Sequence, residues 1–224
     1  MTLPDPQLSV SLRLAFKPPA PVLPSLYAEQ TITLPASNNA IPGPLKLAKH
    51  QIEMADSLVE DGIEVVAMMC AAQTGKTTVL ESMLASIIGN MPGPTLLVQP
   101  TGDKANEFVS QRLNPMIDNA PKLRALVGKG GLTRRGHSGG TNTSAMKSFP
   151  GGFIKMASSY RAEDLSASSC RFILMDEVDR FATTAGQDGN PIDLGIKRGA
   201  MFEGKGRRVV LASTPTGRFA SRIN

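Results

Sequence analysis

The sequence predicts an α/β fold with a mostly parallel central sheet flanked by helices. Three apolar runs predict it. Val65–Met69 leads into Ala72-Gln73-Thr74-Gly75-Lys76-Thr77, Phe172–Met175 delivers Asp176 and Glu177, and Arg208–Ala212 ends in Ser213-Thr214-Pro215-Thr216. Short apolar strands alternating with helical segments imply parallel pairing through right-handed crossovers. Ligand sites in such sheets lie at the carboxyl ends of the strands, where all three runs carry their polar residues.

Taken in order, residues 1–43 hold Pro4, Pro6, Pro18, Pro19, Pro21, Pro24, Pro35 and Pro42 and little helical periodicity. They read as an extended arm or linker, either a partner-binding arm or an idle tail, set apart from a domain over residues 44–224. Leu8–Leu14 alternates apolar and polar residues and fits an edge strand. Leu45–Val59 reads as a helix. Val65–Met69 reads as a strand buried on both faces. Thr77–Ile88 is a helix that sets Leu80, Leu84, Ile87 and Ile88 on one face before Gly89 ends it. Thr95–Gln99 is a second buried strand, Asp103–Leu113 a helix, and Asn114–Val127 another with Pro115 near its start. Phe153–Ala157, Arg171–Met175 and Arg208–Ala212 complete at least five strands.

The chemistry follows from the first two runs. A tight loop with Gly75 between a strand and a helix converges backbone N–H groups on an anion. It is a Walker A-type loop in which Ala72, Gln73, Thr74, Gly75, Lys76, Thr77 and Thr78 would bind a nucleotide. Lys76 would reach the β- and γ-phosphates of ATP, and the Thr77 hydroxyl would ligate Mg²⁺. Cys70 stands where the full pattern has its first glycine. A plain strand-to-helix turn with an exposed lysine is the competing reading. At the end of the apolar strand, Asp176 would hold Mg²⁺ and Glu177 would orient and deprotonate the attacking water, a Walker B-type pair. The same pair also suits the solvated first turn of a helix. Ser213, Thr214 and Thr216 would contact the γ-phosphate region and report its loss, unless that strand simply ends in a proline turn. Gln51, beside His50, would approach the adenine, or sit on an exposed helix face.

In several segments, in one order, the chain resembles a known family, the large terminase subunit of tailed bacteriophages of the lambda-like type. Cys70–Thr77 resembles its phosphate loop, Phe149-Pro150-Gly151-Gly152-Phe153-Ile154 its glycine-bearing strand, and Leu174-Met175-Asp176-Glu177-Val178-Asp179-Arg180 its acidic motif. Asp188–Leu194 with Lys197-Arg198 resembles the segment after that, and Leu211–Thr216 with Gly217, Ser221, Arg222 and Ile223 its coupling motif. The likeness runs from about Pro44 to Asn224. It implies a RecA-like ATPase that assembles as a homo-oligomeric ring at the portal vertex of a procapsid in the host cytoplasm. Such a ring works with a small terminase subunit and a portal protein, and pumps double-stranded viral DNA inward. Family members carry a metal-dependent nuclease domain after the ATPase; it is expected to be absent from these residues. Where members carry an arginine-rich stretch, this chain reads Leu165-Ser166-Ala167-Ser168-Ser169. Arg161 and Arg171 are the nearby candidates for an arginine finger, or are plain surface charges.

Composition narrows the partners. A net charge of +5 suits a polyanion. Lys129, Arg134 and Arg135 lie in a Gly/Ser/Thr-rich stretch, Gly128–Ser144, long for a loop, which would contact DNA phosphates without reading sequence or stay solvated. With 4% aromatics and no tryptophan, single-strand stacking platforms are not evident. No stretch approaches the roughly 20 apolar residues of a membrane span. Cys70 and Cys170 read as two buried free thiols, and His50 and His137 are too isolated for a metal site. A helicase- or repair-type ATPase and a truncated docking module remain the competing functions.

Overall fold

The computed structural model describes residues 22–35, 42–129, 143–166, 168–217 and 221–223. Leu8–Leu14, Arg134 and Arg135 lie outside the described residues, as does the side chain of Lys129.

The described chain opens with a helix, α1 (Pro24–Thr31), where the proline content predicts extended backbone. Pro24 at its first position is pre-set for helical φ. Eight residues are too few to hold a helix in water, and its stability comes from tertiary contacts that composition does not report. Ala28 is fully buried, the Ser25 amide and hydroxyl both donate to Asp56 at 2.8 Å, and Glu29 Oε1 accepts from the Leu47 amide at 2.8 Å. Strands β1 (Thr33–Leu34) and β2 (Gly43–Pro44) form a short antiparallel pair beside it. The next helix, α2, covers Lys49–Asp56 and tightens into a 3₁₀ turn at Ser57–Val59, four residues shorter at its start than Leu45–Val59. Leu45 and Leu47 are buried from irregular backbone ahead of the helix instead.

The central layer then forms in order: β3 (Val65–Met69), α3 (Lys76–Gly89), β4 (Pro94–Gln99), α4 (Gly102–Phe108), α5 (Asn114–Asp118), α6 (Pro121–Lys129), β5 (Met146–Phe149), β6 (Gly152–Ser158), α7 (Ala162–Ser166), β7 (Phe172–Asp176), α8 (Pro191–Lys197) and β8 (Arg208–Ser213). The strands line up as β3-β8-β7-β4-β6-β5. All pairs are parallel except β5 with β6, whose Gly151 at φ 85° makes the tight reversal. The result is the predicted α/β architecture, a mostly parallel six-stranded sheet between helices.

Three departures separate the observed elements from the expected ones. A π-helical turn, Val109–Leu113, interrupts the helix expected over Asp103–Leu113. Asn119 and Ala120 break the one expected over Asn114–Val127, ahead of Pro121. The strand β3 is an edge strand rather than one buried on both faces: Val65 is 50% and Met69 56% exposed, while Met68 is buried. A continuous apolar run does not distinguish an edge from a central strand. By contrast β7 is buried at every residue, as a central parallel strand should be.

The core has two halves, one on each face of the sheet. On one, Leu97, Leu174 and Val210 meet α3, which is buried from Val79 to Ile88, well beyond the single face expected of it. On the other, Val98, Ile173 and Met175 meet Leu165 of α7 and the Val178–Phe181 segment. Cys170 is buried, and that burial pushes its thiol up to about 11, while Cys70 is only half-buried, against the expectation of two buried thiols.

Candidate nucleotide site

The loop from Cys70 to Gly75 continues out of β3, whose pairing with β8 extends through a Cys70 amide bond to the Ser213 carbonyl at 3.1 Å. Gln73 at φ 60° and Gly75 at φ 84° are both left-handed, which turns the chain sharply into α3. No side chain caps the start of α3, so the N–H groups of its first turn are free to face an anion. The loop is braced from outside. The Gln51 amide donates to the carbonyls of Thr74 and Gly75 at 3.3 and 3.5 Å, and His50 Nε2 lies 3.2 Å from the Thr74 carbonyl. Gln51 Oε1 accepts from the Ala48 amide at 2.8 Å, so this side chain is committed at both ends. Gln51 therefore stands at the phosphate loop, bonded to its backbone.

A Cβ on Gly75 would collide with the Gln51 amide and would sit on backbone of positive φ. Gly75→Ala is therefore expected to displace the loop and weaken nucleotide binding at least ~10-fold, with unfolding cooperativity retained. Titration with a fluorescent ADP beside a thermal melt checks this.

Asp176 ends β7 at 7% exposure and accepts from the Gln99 amide at 3.3 Å. Burial raises its carboxyl above the ordinary aspartate range; Glu177 adds to the rise, while the Gln99 bond and the Lys76 charge oppose it. A buried carboxylate this sparsely bonded has oxygen lone pairs left for a cation. The next residue, Glu177, is left-handed at φ 54°, an unfavourable state for a non-glycine residue that points to function. Its carboxylate is 3.5 Å from the Arg180 guanidinium.

Strand β8 lies between β3 and β7, which puts its exit between the loop and the acidic pair. There the Lys76 ammonium donates to Thr214 Oγ1 at 2.6 Å. Ser213 Oγ, buried, accepts from the Asp179 amide at 3.2 Å. The Asp179 carboxylate accepts from the amides of Thr216 and Arg222 at 2.9 and 2.7 Å and from the hydroxyls of Thr216 and Ser221 at 3.4 and 3.1 Å. Burial acts to raise this carboxyl, but those four bonds outweigh it and hold it below the ordinary range. A depressed carboxyl contributes stability that is present above the unfolded-state value near 3.9 and is lost as pH falls through the folded-state value. At neutral pH, Asp179→Ala is expected to speed amide exchange at Thr216 and Arg222 and leave β7 protected.

Thr77, Gln99, Asp176 and Glu177 share one open polar cleft. Its far wall comes from α4 and the π-helical turn, where Lys104, Glu107 and Arg112 face it. Lys104 is paired with Glu107 at 2.7 Å. Among the described residues no group of three or more His, Cys, Asp or Glu could hold a metal alone. A Mg²⁺ ion that keeps its waters and phosphate oxygens needs only one or two protein ligands, and Thr77 with Asp176 fits that donor set.

The two arginine candidates fall elsewhere. Arg171 precedes β7, at the end of the sheet opposite the loop, where its Nε donates to the Gly206 carbonyl at 3.1 Å and its guanidinium lies 4.9 Å from the Phe172 ring centroid. Within its own chain that is a packing role, away from the acidic pair. Arg161 is exposed beyond β6, two strands from β7. Sequence reasoning passed over Gln99, Asp179 and Arg112, because their places in the site depend on strand order and on the π-helical turn; only Asp179 carried a signal, three residues after Asp176.

The model of the phage terminase large subunit gpA family, ATPase domain, matches residues 39–224. The chain is 25% identical over 181 residues to the terminase large subunit of Enterobacteria phage P21, which covers 80% of this chain and 27% of that protein. It is 27% identical over 193 residues to the terminase large subunit of Escherichia phage lambda, covering 84% and 28%. It thus spans about a quarter of the length of these relatives. Its fold is similar to the crystal structure of the bacteriophage HK97 large terminase, at TM-score 0.65 and 16% identity over 89% of this chain and 38% of that one. It is also similar to the large terminase ATPase domain of Thermus phage P74-26, at TM-score 0.51 and 15% identity over 77% of this chain and 66% of that one. With a mostly parallel α/β sheet and a family match that spans residues 39–224, this chain belongs to the ATPase-domain family of the phage terminase large subunit.

Proposed function

We propose that the chain hydrolyses ATP to drive double-stranded viral DNA into a procapsid. The observation that carries this reading is the 2.6 Å bond from Lys76 to Thr214, which joins the phosphate loop to the strand end lying beside the acidic pair. A bound nucleotide would compete for that lysine. In this reading Lys76 turns from Thr214 to the β- and γ-phosphates, and the freed Thr214 carries the change into the segment that Asp179 holds. The first-turn amides of α3 bind the remaining phosphate oxygens, and Thr78 closes that turn. Thr77 and Asp176 hold Mg²⁺, whose chemistry when bound is to neutralise charge on the phosphate oxygens. Glu177 takes the proton of the attacking water.

The partners of the reading are those of a packaging machine: a homo-oligomeric ring, a small terminase subunit and a portal protein at the procapsid vertex in the host cytoplasm. Among the described residues no helix is long and apolar enough to cross a membrane. Lys129, Arg134 and Arg135 supply phosphate contacts to the DNA, so its binding should weaken steeply with salt and show little sequence preference.

Steady-state ATP hydrolysis with and without long double-stranded DNA tests the reading. DNA-stimulated turnover that falls as salt is raised supports it. Turnover indifferent to DNA in the assembled ring contradicts it and favours an ATPase with another task.

A further inference from the structure

Within one chain, Arg171 packs away from the acidic pair and Arg161 lies two strands from it, so beside Lys76 neither brings an arginine to a phosphoryl-transfer transition state in its own cleft. Among the described residues, Arg112 lines the cleft, while Arg180 sits at its edge, paired with Glu177 at 3.5 Å. Arg112 lies on the π-helical turn Val109–Leu113 between α4 and α5. Such a turn inserts a residue into the helical ladder, re-aims the side chains on it, and is found preferentially at functional sites. Here it sets Arg112 on the cleft wall across from Thr77, Asp176 and Glu177. Unlike Lys104, which Glu107 neutralises, the half-buried Arg112 side chain has no hydrogen-bond partner among the described residues.

Arg112 also borders a second, smaller cavity, whose lining includes Thr33, Leu34 and Glu81 of α3. Glu81 is 9% exposed, and its side chain too has no hydrogen-bond partner among the described residues. Burial pushes its carboxyl up to about 7, and the positive charge of Arg112 is what pulls the other way. A buried acid therefore lies within electrostatic reach of an unbonded arginine, on the helix that starts at the phosphate loop.

Resting on the ATPase reading, we propose that Arg112 supplies the transition-state charge within its own chain. Glu81 is its resting counter-charge. In the absence of nucleotide the guanidinium is drawn toward Glu81; when a γ-phosphoryl group develops charge in the cleft, the guanidinium turns to it. Arg112 is then a catalytic residue and Glu81 a positioning residue that sets where Arg112 waits.

The test is binding of ADP with aluminium fluoride, a mimic of the transferring phosphoryl group, to the 224-residue chain at dilutions where light scattering shows a monomer. ADP alone is titrated in parallel. The wild-type monomer is expected to trap the mimic, and Arg112→Ala to bind it at least ~100-fold more weakly while ADP affinity changes less than about threefold. Retained ADP binding also shows that the variant is folded. Arg112→Lys should recover part of the loss, since it restores charge without the planar fork. Glu81→Gln should bind the mimic as well as wild type or better. Equal trapping by Arg112→Ala would overturn the proposal, and so would a wild-type chain that binds ADP but traps the mimic only when oligomeric. Weaker trapping by Glu81→Gln would overturn the role given to Glu81. If wild type binds no ADP, it is the nucleotide reading itself that fails.

Discussion

Glu177→Gln is expected to bind Mg²⁺–ATP about as tightly as wild type and to hydrolyse it at least ~10²-fold more slowly. The substitution keeps size and hydrogen-bonding capacity but removes the ability to take a proton, and general bases contribute on the order of 10²–10⁴-fold to rate. The case rests on position. Glu177 directly follows the buried strand β7, lines the cleft with Thr77 and Asp176, and is held left-handed at φ 54°. Its ion pair among the described residues, to Arg180 at 3.5 Å, is solvent-exposed on both sides and worth little to stability. The variant should therefore melt with wild type, which separates lost chemistry from lost folding. Paired measurements of ATP affinity and single-turnover hydrolysis check both halves. A variant that turns over at the wild-type rate would show that another group serves as the base.

Lys76→Ala is expected to fail one step earlier. The lysine is the first residue of α3 and its ammonium bonds Thr214 at 2.6 Å. Removing a charged donor to phosphate costs about 1.5–3 kcal/mol, or roughly 10- to 100-fold in affinity. ATP should lose more than ADP, because the lysine reaches the γ-phosphate. The loss of the Thr214 bond should also loosen the exit of β8, visible as faster amide exchange there. Calorimetric titration with both nucleotides distinguishes this from Glu177→Gln, which should leave both affinities nearly unchanged.

The parts of this site carried by local pattern were legible in the sequence. Gly75-Lys76-Thr77 between an apolar run and a helix, and Asp176-Glu177 at the end of another, announce themselves through period, propensity and turn chemistry. The parallel strands of the sheet were legible for the same reason, while the short antiparallel edge strand β5 was not. What the sequence did not reveal depends on what lies next to what. That β3 is an edge strand, and that β8 separates it from β7, follows from strand order. The eight-residue α1 is stabilised by Asp56 and by the buried face of α3, not by its own proline-flanked residues. The π-helical turn that aims Arg112 leaves no mark in the helical periodicity of Asp103–Leu113. Gln99, separated by 77 positions from Asp176, becomes its partner only because β4 and β7 are adjacent.

The central claim is that the phosphate loop and the Asp176 carboxylate form one nucleotide–Mg²⁺ site. Equilibrium binding of a non-hydrolysable ATP analogue to the chain, with and without Mg²⁺, beside Asp176→Asn, tests it most directly. One analogue per chain, tightened by Mg²⁺ in wild type and not in Asp176→Asn, is the expected result. An affinity that ignores Mg²⁺ in both proteins, or no binding at all, would contradict it.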